Sequence, residues 1–183
     1  MPEKFELQPI LENELIRIRP LKDEDFEILF KVASDPLIWE QHPNKNRYKR
    51  EVFENFFKGA MESGGAFLVI DIKSNEVIGS SRYYGYNSSD NAVSVGYTFI
   101  SRSHWGSIYN RALKKLMLDH AFKFVDTVYF HIGAENIRSQ KAILKLGAIK
   151  TDEADVKYYG EEVYKNFVYS MNKEMWDIIR NEI

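Results

Sequence analysis

The sequence predicts an α+β protein in which one mixed β-sheet of about seven strands carries helices on both faces. Residues 66–100 contain three short apolar segments separated by turn residues, which indicates an antiparallel meander. Residues 92–132 read as strand, helix and strand, and the two strands of such a unit are parallel neighbours. Because both patterns share one strand, the sheet is expected to contain parallel and antiparallel pairs.

The strand predictions rest on apolar patterning and on turn residues. Residues 15–19 alternate apolar and basic side chains and stop at Pro20, which indicates a short edge strand. Alternation within residues 92–100 places a set of apolar side chains on one face: Val93, Val95, Tyr97 and Phe99. Further strands are expected at 66–72, 77–84, 127–132, 149–157 and 163–171.

The helix predictions rest on apolar spacing and on capping residues. A helix over 23–34 is expected to begin at Asp23 as its cap and to end before Asp35-Pro36, since the residue before proline avoids helical geometry. A helix over 49–62 is expected to end at Gly64. Helices are also expected from Asn110 onward, at 135–146 and at 173–183.

Composition and charge exclude several classes of protein. The chain has 183 residues, 44% of them hydrophobic and 28% charged, which is typical of a folded protein, and we expect one domain over 1–183. It has no cysteine, which excludes a disulfide framework and a thiolate zinc site, and no metal is expected. A net charge of −2 makes nucleic-acid binding an unfavoured function. Residues 1–11 lack the features of a signal peptide, and no run approaches ~18 apolar residues, so we expect a cytoplasmic protein that does not span a membrane.

Two segments contain residues suited to chemistry. Gly106 lies between the strand at 92–100 and the helix from Asn110, where free N–H groups and the helix dipole favour an anion such as phosphate. Asn136 follows the strand at 127–132, and Ser139 lies three residues later on the same side of the next helix. An ordinary turn at Gly106, and a helix cap at Asn136, are the structural alternatives.

Together these segments resemble the GNAT family of N-acetyltransferases, and within it the RimJ/RimL-like branch that acetylates protein N-termini, including those of ribosomal proteins. The resemblance covers residues 15 to about 171 in the order of elements. It is carried by Asn-x-x-Ser at 136–139 with the Leu-Gly at 146–147, by Arg-Ser-His-Trp-Gly at 102–106, and by Asp-Pro at 35–36.

The resemblance implies a sheet that splays open between the strands at 92–100 and 127–132, with acetyl-CoA in the split. It implies that Asn136 contacts the pantetheine arm and that Ser139 steadies the departing thiolate. The remaining residues expected to bind the cofactor are the strand residues Thr98, Phe99 and Ile100 and the loop residues His104, Trp105, Gly106, Ser107, Ile108, Tyr109 and Asn110.

The sequence departs from the family pattern at Ile108 and Asn110, where the family usually has Gly or Ala. Isoleucine almost never adopts a positive φ, so the loop fits only if Ile108 already lies in a helical turn with its side chain directed away from the phosphate. Asn110 then offers a side-chain N–H in place of close backbone approach.

The resemblance implies direct attack of a neutral amine on the thioester, for which strand amides near Phe99 supply the oxyanion donors. The amine must lose a proton, and Glu40 in the loop at 36–48 is our candidate base, with a solvated loop carboxylate as the alternative. His42 and His104 lie near the expected cleft, His131 is ambiguous, and His120 reads as a packed core residue.

The expected function is acetyl-CoA-dependent transfer of an acetyl group to a primary amine, either a protein N-terminus or a small amine. A CoA-binding module without catalysis and a protein-interaction module with a degenerate phosphate loop are the alternatives. The acidic segment at 152–162 reads either as a solvated loop or, through Glu161 and Glu162, as an electrostatic attraction for a basic amine. The oligomeric state stays open, and a homodimer is one option.

Overall fold

The computed structural model describes residues 4–106 and 108–182. Eight strands form one mixed sheet, in the spatial order β1-β2-β3-β4-β5-β6-β8-β7. The strands are β1 (Leu11–Glu12), β2 (Ile16–Pro20), β3 (Ala66–Asp71), β4 (Val77–Asn87), β5 (Ala92–Ile100), β6 (Thr127–Gly133), β7 (Ile149–Lys157) and β8 (Val163–Asn172). The α-helices are α1 (Phe26–Ala33), α2 (Arg50–Ser63), α3 (Tyr109–Ala121), α4 (Ile137–Lys145) and α5 (Lys173–Ile179).

The predicted fold class is confirmed, with one strand more than expected. The added strand β1 is two residues long and pairs with β2, so the prediction that residues 15–19 form the edge strand is wrong. The β3-β4-β5 meander is antiparallel, and β5 pairs with β6 in parallel, as the sequence predicts. A strand of two residues has too few side chains to show a period, which is why the sequence does not reveal it.

The helices bury their apolar faces against opposite sides of the sheet. Helices α3, α4 and α5 pack on one face, where Met117, Ile143 and Trp176 join the core. Helices α1 and α2 pack on the other, where Leu29 and Phe53 join a second, aromatic-rich core. The sheet is therefore covered on both faces, as expected for a sheet that contains a βαβ unit.

A β-bulge in β5 reverses the side-chain pattern halfway along the strand. Gly96 pairs with Arg82 and Phe99 pairs with Ser80, so two residues of β5 oppose one residue of β4. Tyr97 at this point has a φ of +52°. As a result Val95 packs with the α3-side core and Tyr97 with the α2-side core, so the prediction of a single apolar face for this strand is wrong.

The start of the first helix also differs from the prediction. A 3-10 turn over Asp23–Asp25 precedes α1, and the carboxylate of Asp25, not that of Asp23, accepts the Lys22 N–H at 2.8 Å. Asp25 also pairs with Arg19 at 2.7 Å, which ties this turn to β2. The predicted end of α2 at Gly64 is confirmed, since Gly64 closes the helix with a φ of +64°.

Candidate active site

A split in the sheet forms the main cleft of the protein. Strands β5 and β6 pair at only three positions, from Ala92 opposite Thr127 to Ser94 opposite Tyr129, and then separate. The cleft between them has a volume of about 690 Å³ and is lined by both strands, by the loop after α1 and by the first turns of α3 and α4. This is the opening that the family resemblance implies.

Most of the predicted cofactor-binding residues line this cleft. They are Thr98, Phe99, Ile100, His104, Trp105, Gly106, Asn110, Asn136 and Ser139. Ile108 and Tyr109 are not among the described residues that line it, and Ser107 lies outside the described residues. Tyr109 instead donates its hydroxyl to Asp71 at 3.0 Å, at the end of β3.

The first turn of α3 lies at one end of the cleft. Ile108 precedes the helix with a φ of −74°, its side chain makes no capping hydrogen bond, and that side chain is 57% exposed. Gly106 has a φ of +65°, and among the described residues other than its chain neighbours no heavy atom lies within 4 Å of the place where its Cβ would stand. The N–H groups of a first helical turn have no carbonyl acceptor within the helix, so this end of the cleft can bind an anion.

Asn136 and Ser139 open helix α4 at the opposite wall. The Asn136 side-chain oxygen accepts the Ser139 N–H at 3.2 Å, so the cap that we considered as a structural alternative is present. This bond does not use the amide N–H donors of Asn136. The Ser139 side chain, one turn into the helix, is half-buried at the cleft wall.

Glu40 is not placed as a catalytic base should be. Its carboxylate pairs with Arg138 at 3.4 Å, and Glu40 is not among the described residues that line the cleft. Arg138 stacks on Trp105 with its Cζ 3.9 Å from the ring centroid and donates to the Ile38 carbonyl at 3.2 Å. Glu40 therefore supports an arginine that joins α4 to the loop after α1.

The cleft is electropositive although the chain is slightly acidic. The described residues that line it include no aspartate and no glutamate. They include six basic side chains, of which two, Arg47 and Arg138, are paired with carboxylates outside the lining: Arg47, Arg111, Lys114, Arg138, Lys141 and Lys145. Because a concave site focuses the field of its charges, this cleft attracts anions.

Lys114 is a buried amine in the wall of the cleft. It is 4% exposed, its Nζ donates to Thr98 Oγ1 at 2.5 Å, and among the described residues no carboxylate pairs with it. Burial lowers its pKa to about 7. Thr98 faces α3 because the bulge shifts the pattern of β5, and this contact could therefore not be predicted from the alternation of the strand.

Tyr84 and His131 form a hydrogen-bonded pair where the strands separate. The Tyr84 hydroxyl lies 3.0 Å from His131 Nδ1, and both residues line the cleft. Tyr84 reaches across β5 because Gly96 has no side chain, and a Cβ there would lie 3.1 Å from the tyrosine ring. Burial lowers the pKa of His131 and raises the pKa of Tyr84, so both are neutral near pH 7.

The other histidines are less suited to proton transfer. His42 packs edge-on against Trp39, and burial, with smaller contributions from Arg47 and Arg138, lowers its pKa to about 3. His104 contacts Ser103 at 2.9 Å beside the start of α3. His120 is bound to the Glu6 carbonyl at 2.8 Å in the core, as its position on an apolar helix face predicts.

These buried bases make stability depend on pH. His42, His120, His131 and Lys114 all have lowered pKa values, so the unfolded chain binds more protons than the folded protein. We expect the free energy of unfolding to rise with pH, below about 6.5 because of the histidines and from about 7 to about 10 because of Lys114. Urea unfolding at several pH values measures this rise. Lys114→Met should flatten the alkaline part and the surface control Lys31→Met should not; equal slopes for the two variants would contradict the assignment.

A buried ion pair closes the α2 side of the cleft. Arg47 donates from Nε and Nη2 to the Glu161 carboxylate at 2.8 Å, and the two side chains are 3% and 4% exposed. The guanidinium also lies 5.1 Å from the ring centroids of Phe56 and Tyr158. Glu161 is therefore a structural anchor whose charge is already matched by Arg47, which makes it unsuited to attract a basic amine.

The described part of the chain contains neither a cluster of metal ligands nor a helix able to span a bilayer. Among the described residues, no three His, Asp or Glu side chains are grouped as metal ligands. Within the same residues, no helix has the length and apolar character needed to cross a bilayer.

Three solved structures share this fold, and their low sequence identity to this chain supports a shared fold and nothing further. A GCN5-related N-acetyltransferase from Brucella melitensis has a TM-score of 0.84 at 17% identity, with 98% of this chain and 86% of that chain covered. Mycobacterium smegmatis RimJ in complex with CoA-disulfide has a TM-score of 0.67 at 14% identity, covering 87% and 82%. The spermidine N-acetyltransferase from Vibrio cholerae in complex with CoA and spermine has a TM-score of 0.66 at 16% identity, covering 90% and 99%.

The sequence itself matches a family model. Residues 16–149 match the model described as an acetyltransferase (GNAT) domain. That range runs from the first residue of β2 to the first residue of β7, and so contains both strands of the split and the helices that begin beside it. The chain therefore belongs to the GNAT family of acetyltransferases.

Proposed function

We propose that the protein transfers an acetyl group from acetyl-CoA to a primary amine. The observation that carries this proposal is the split between β5 and β6, which leads to the start of α3 beside Gly106. A nucleotide thioester needs a groove for its extended arm and donors for its diphosphate, and this cleft offers both.

In this proposal the cofactor binds along the wall made by β5 and α3. The free edge of Thr98–Ile100 pairs with the pantetheine amides, and the first-turn amides of α3 hold the diphosphate, with Arg111 adding positive charge. The Ile108 side chain is exposed and does not fill the position proposed for the diphosphate. This argues against the alternative in which the phosphate loop is too degenerate to bind CoA. The RimJ and spermidine N-acetyltransferase structures hold CoA species in the same fold.

The proposed chemistry needs no covalent enzyme intermediate. The amine nitrogen attacks the thioester carbonyl, a C–N bond forms, and the C–S bond breaks as the thiolate leaves. Backbone N–H groups of β5 near Phe99 stabilise the oxyanion, and Ser139 donates to the thiolate. Since no described carboxylate lines the cleft, we assign removal of the amine proton to the Tyr84–His131 pair. The Tyr84 hydroxyl oxygen accepts the proton from the amine, and the hydroxyl proton of Tyr84 passes to His131 Nδ1.

The acceptor is either a protein N-terminus, as in the RimJ/RimL-like branch, or a small amine. The fold is shared at similar TM-scores with a RimJ protein and with a spermidine N-acetyltransferase, so the comparison favours neither acceptor.

The test is release of the CoA thiol from acetyl-CoA in the presence of a panel of peptides and small amines. The chain has no cysteine, so a thiol reagent reports CoA without a background from the protein. Amine-dependent release supports the proposal. Binding of acetyl-CoA without release by any amine would favour the CoA-binding module instead.

A negative charge at the start of α3 should stabilise the helix but weaken the binding of the cofactor. Asn110→Glu places a carboxylate at the positive end of the helix dipole, which stabilises the helix by about 0.3–1 kcal/mol but repels a diphosphate. We expect acetyl-CoA to bind at least about tenfold more weakly while the melting temperature of the free protein does not fall. Calorimetric titration measures the affinity, and Asn110→Gln is the matched neutral control. Equal affinity in the two variants would mean that the diphosphate binds elsewhere.

A further inference from the structure

Arg82 is a buried cation with almost no polar partner. Its side chain lies on the α2 side of β4 and is 4% exposed. Its Nη2 donates to the Phe56 carbonyl at a long 3.4 Å, and its buried Nε has no hydrogen-bond partner. Among the described residues no carboxylate pairs with it. A buried guanidinium without an anion is costly, and stacking on the Tyr97 and Phe56 rings offsets only part of that cost, so the site suits an anion that the free protein does not supply.

The groups around Arg82 do not neutralise it. The nearest cation, Arg47, is already matched by Glu161, so this pair adds no negative charge. Tyr97 and Tyr84 have pKa values raised by burial and are uncharged phenols near pH 7. Burial lowers the pKa of Arg82 to about 10, which leaves it protonated at that pH. The α2 side of the cleft therefore carries a net positive charge.

This charge lies behind the part of the cleft wall that the proposed acceptor amine approaches, and Arg82 itself is not among the described residues that line the cleft. The Arg82 Cζ is 3.8 Å from the centroid of the Tyr97 ring, and Tyr97 lines the cleft at the bulge of β5. Tyr84, two residues along β4 on the same face, also lines the cleft and bonds to His131. An acceptor whose amine reaches Tyr84 thus places its neighbouring groups beside Tyr97 and within the field of Arg82.

We infer that the acceptor is a primary amine that also carries a carboxylate, and that Arg82 selects this class. The carboxylate supplies the missing negative charge beside Tyr97, while a polyamine brings additional positive charge to a wall without a free acidic group. The inference rests on the proposed N-acetyltransferase activity and names its acceptor class.

The first experiment compares matched acceptors with the wild-type protein. The pairs are alanine with alaninamide, and the peptide Glu-Ala-amide with Gln-Ala-amide, which also distinguishes a free amino acid from a peptide. Spermidine is the cationic comparison. We expect kcat/KM to be at least about tenfold higher for the carboxylate member of a pair than for its amide, and lowest for spermidine. Equal values for both members, or a preference for spermidine, would overturn the inference.

The second experiment assigns the selectivity to Arg82. In Arg82→Gln and Arg82→Met the ratio of kcat/KM within a pair should fall to about twofold or less, mainly through loss with the carboxylate substrate. Arg50→Gln is the control, since Arg50 also stacks on an aromatic ring, 4.7 Å from Phe30, but pairs with Glu27 at the surface. That variant should keep the ratio. Thermal unfolding checks both Arg82 variants for folding.

The outcomes separate this inference from the function on which it rests. Turnover of amides or spermidine without preference for a carboxylate overturns the acceptor class and leaves the acetyltransferase proposal in place. A carboxylate preference that survives in both Arg82 variants overturns the role of Arg82. Failure of every amine to release CoA overturns both the proposed function and this inference.

Discussion

Replacing Glu161 with glutamine is expected to lower the free energy of unfolding by about 3–5 kcal/mol. The substitution keeps the shape of the side chain but leaves the guanidinium of Arg47 buried without its counter-charge. For a chain of this length the corresponding fall in melting temperature is roughly 6–20 °C. Urea unfolding followed by circular dichroism measures the effect.

The neighbouring Glu162 provides the matched control. It is exposed and carries the same charge, so Glu162→Gln should change stability by no more than about 0.5 kcal/mol. The result that would refute the anchor role is a Glu161→Gln variant as stable as wild type whose only defect is a higher KM for basic amines. That is the behaviour expected of a carboxylate that attracts substrate.

Replacing His131 with glutamine is expected to lower kcat by about 10²–10³-fold and to leave the affinity for acetyl-CoA unchanged. The pair with Tyr84 is the only proton acceptor that we assign in the cleft, and it lies apart from the start of α3. Tyr84→Phe should have a similar effect, and the double variant should be little worse than either single one, because the two residues act as a unit.

The pH dependence of kcat provides a second test of the role of His131. Because burial lowers the pKa of His131, the imidazole stays neutral below the ordinary value of about 6.5, so wild-type kcat should fall only at more acidic pH. Tyr129→Phe, two residues earlier on β6 and exposed, is the control and should keep both kcat and the profile. A His131→Gln variant with wild-type kcat and an unchanged acidic limb would show that the proton leaves by another route.

The fold was predictable from the sequence because its elements carry strong local signals. The strand over 92–100 matches β5 at both ends, and the helix stop at Gly64 is set by a residue that accepts a positive φ. The residues expected to bind the cofactor could be named from the resemblance, since they are contiguous in two short segments. Local residue patterns and contiguous motifs are the two kinds of information that can be read from a single sequence.

The contacts on the α2 side of the cleft were not predictable, because they join residues that are distant in the sequence. Arg47 and Glu161 are separated by 114 positions, and an exposed acidic loop is the ordinary reading of the segment that contains Glu161. The bulge at Tyr97 reverses the alternation of β5, so every side chain after it faces the sheet side opposite to the one predicted. Arg82 lies in an otherwise uncharged strand, where nothing in the sequence shows that its charge is unmatched.

A crystal structure of the protein with acetyl-CoA tests the central claim most directly. We predict that the diphosphate accepts hydrogen bonds from the first-turn amides of α3 beside Gly106, that the pantetheine arm runs between β5 and β6, and that the thioester lies near Phe99 and the Tyr84–His131 pair. A complex in which the split holds no part of the cofactor, or in which the diphosphate lies away from α3, would contradict it.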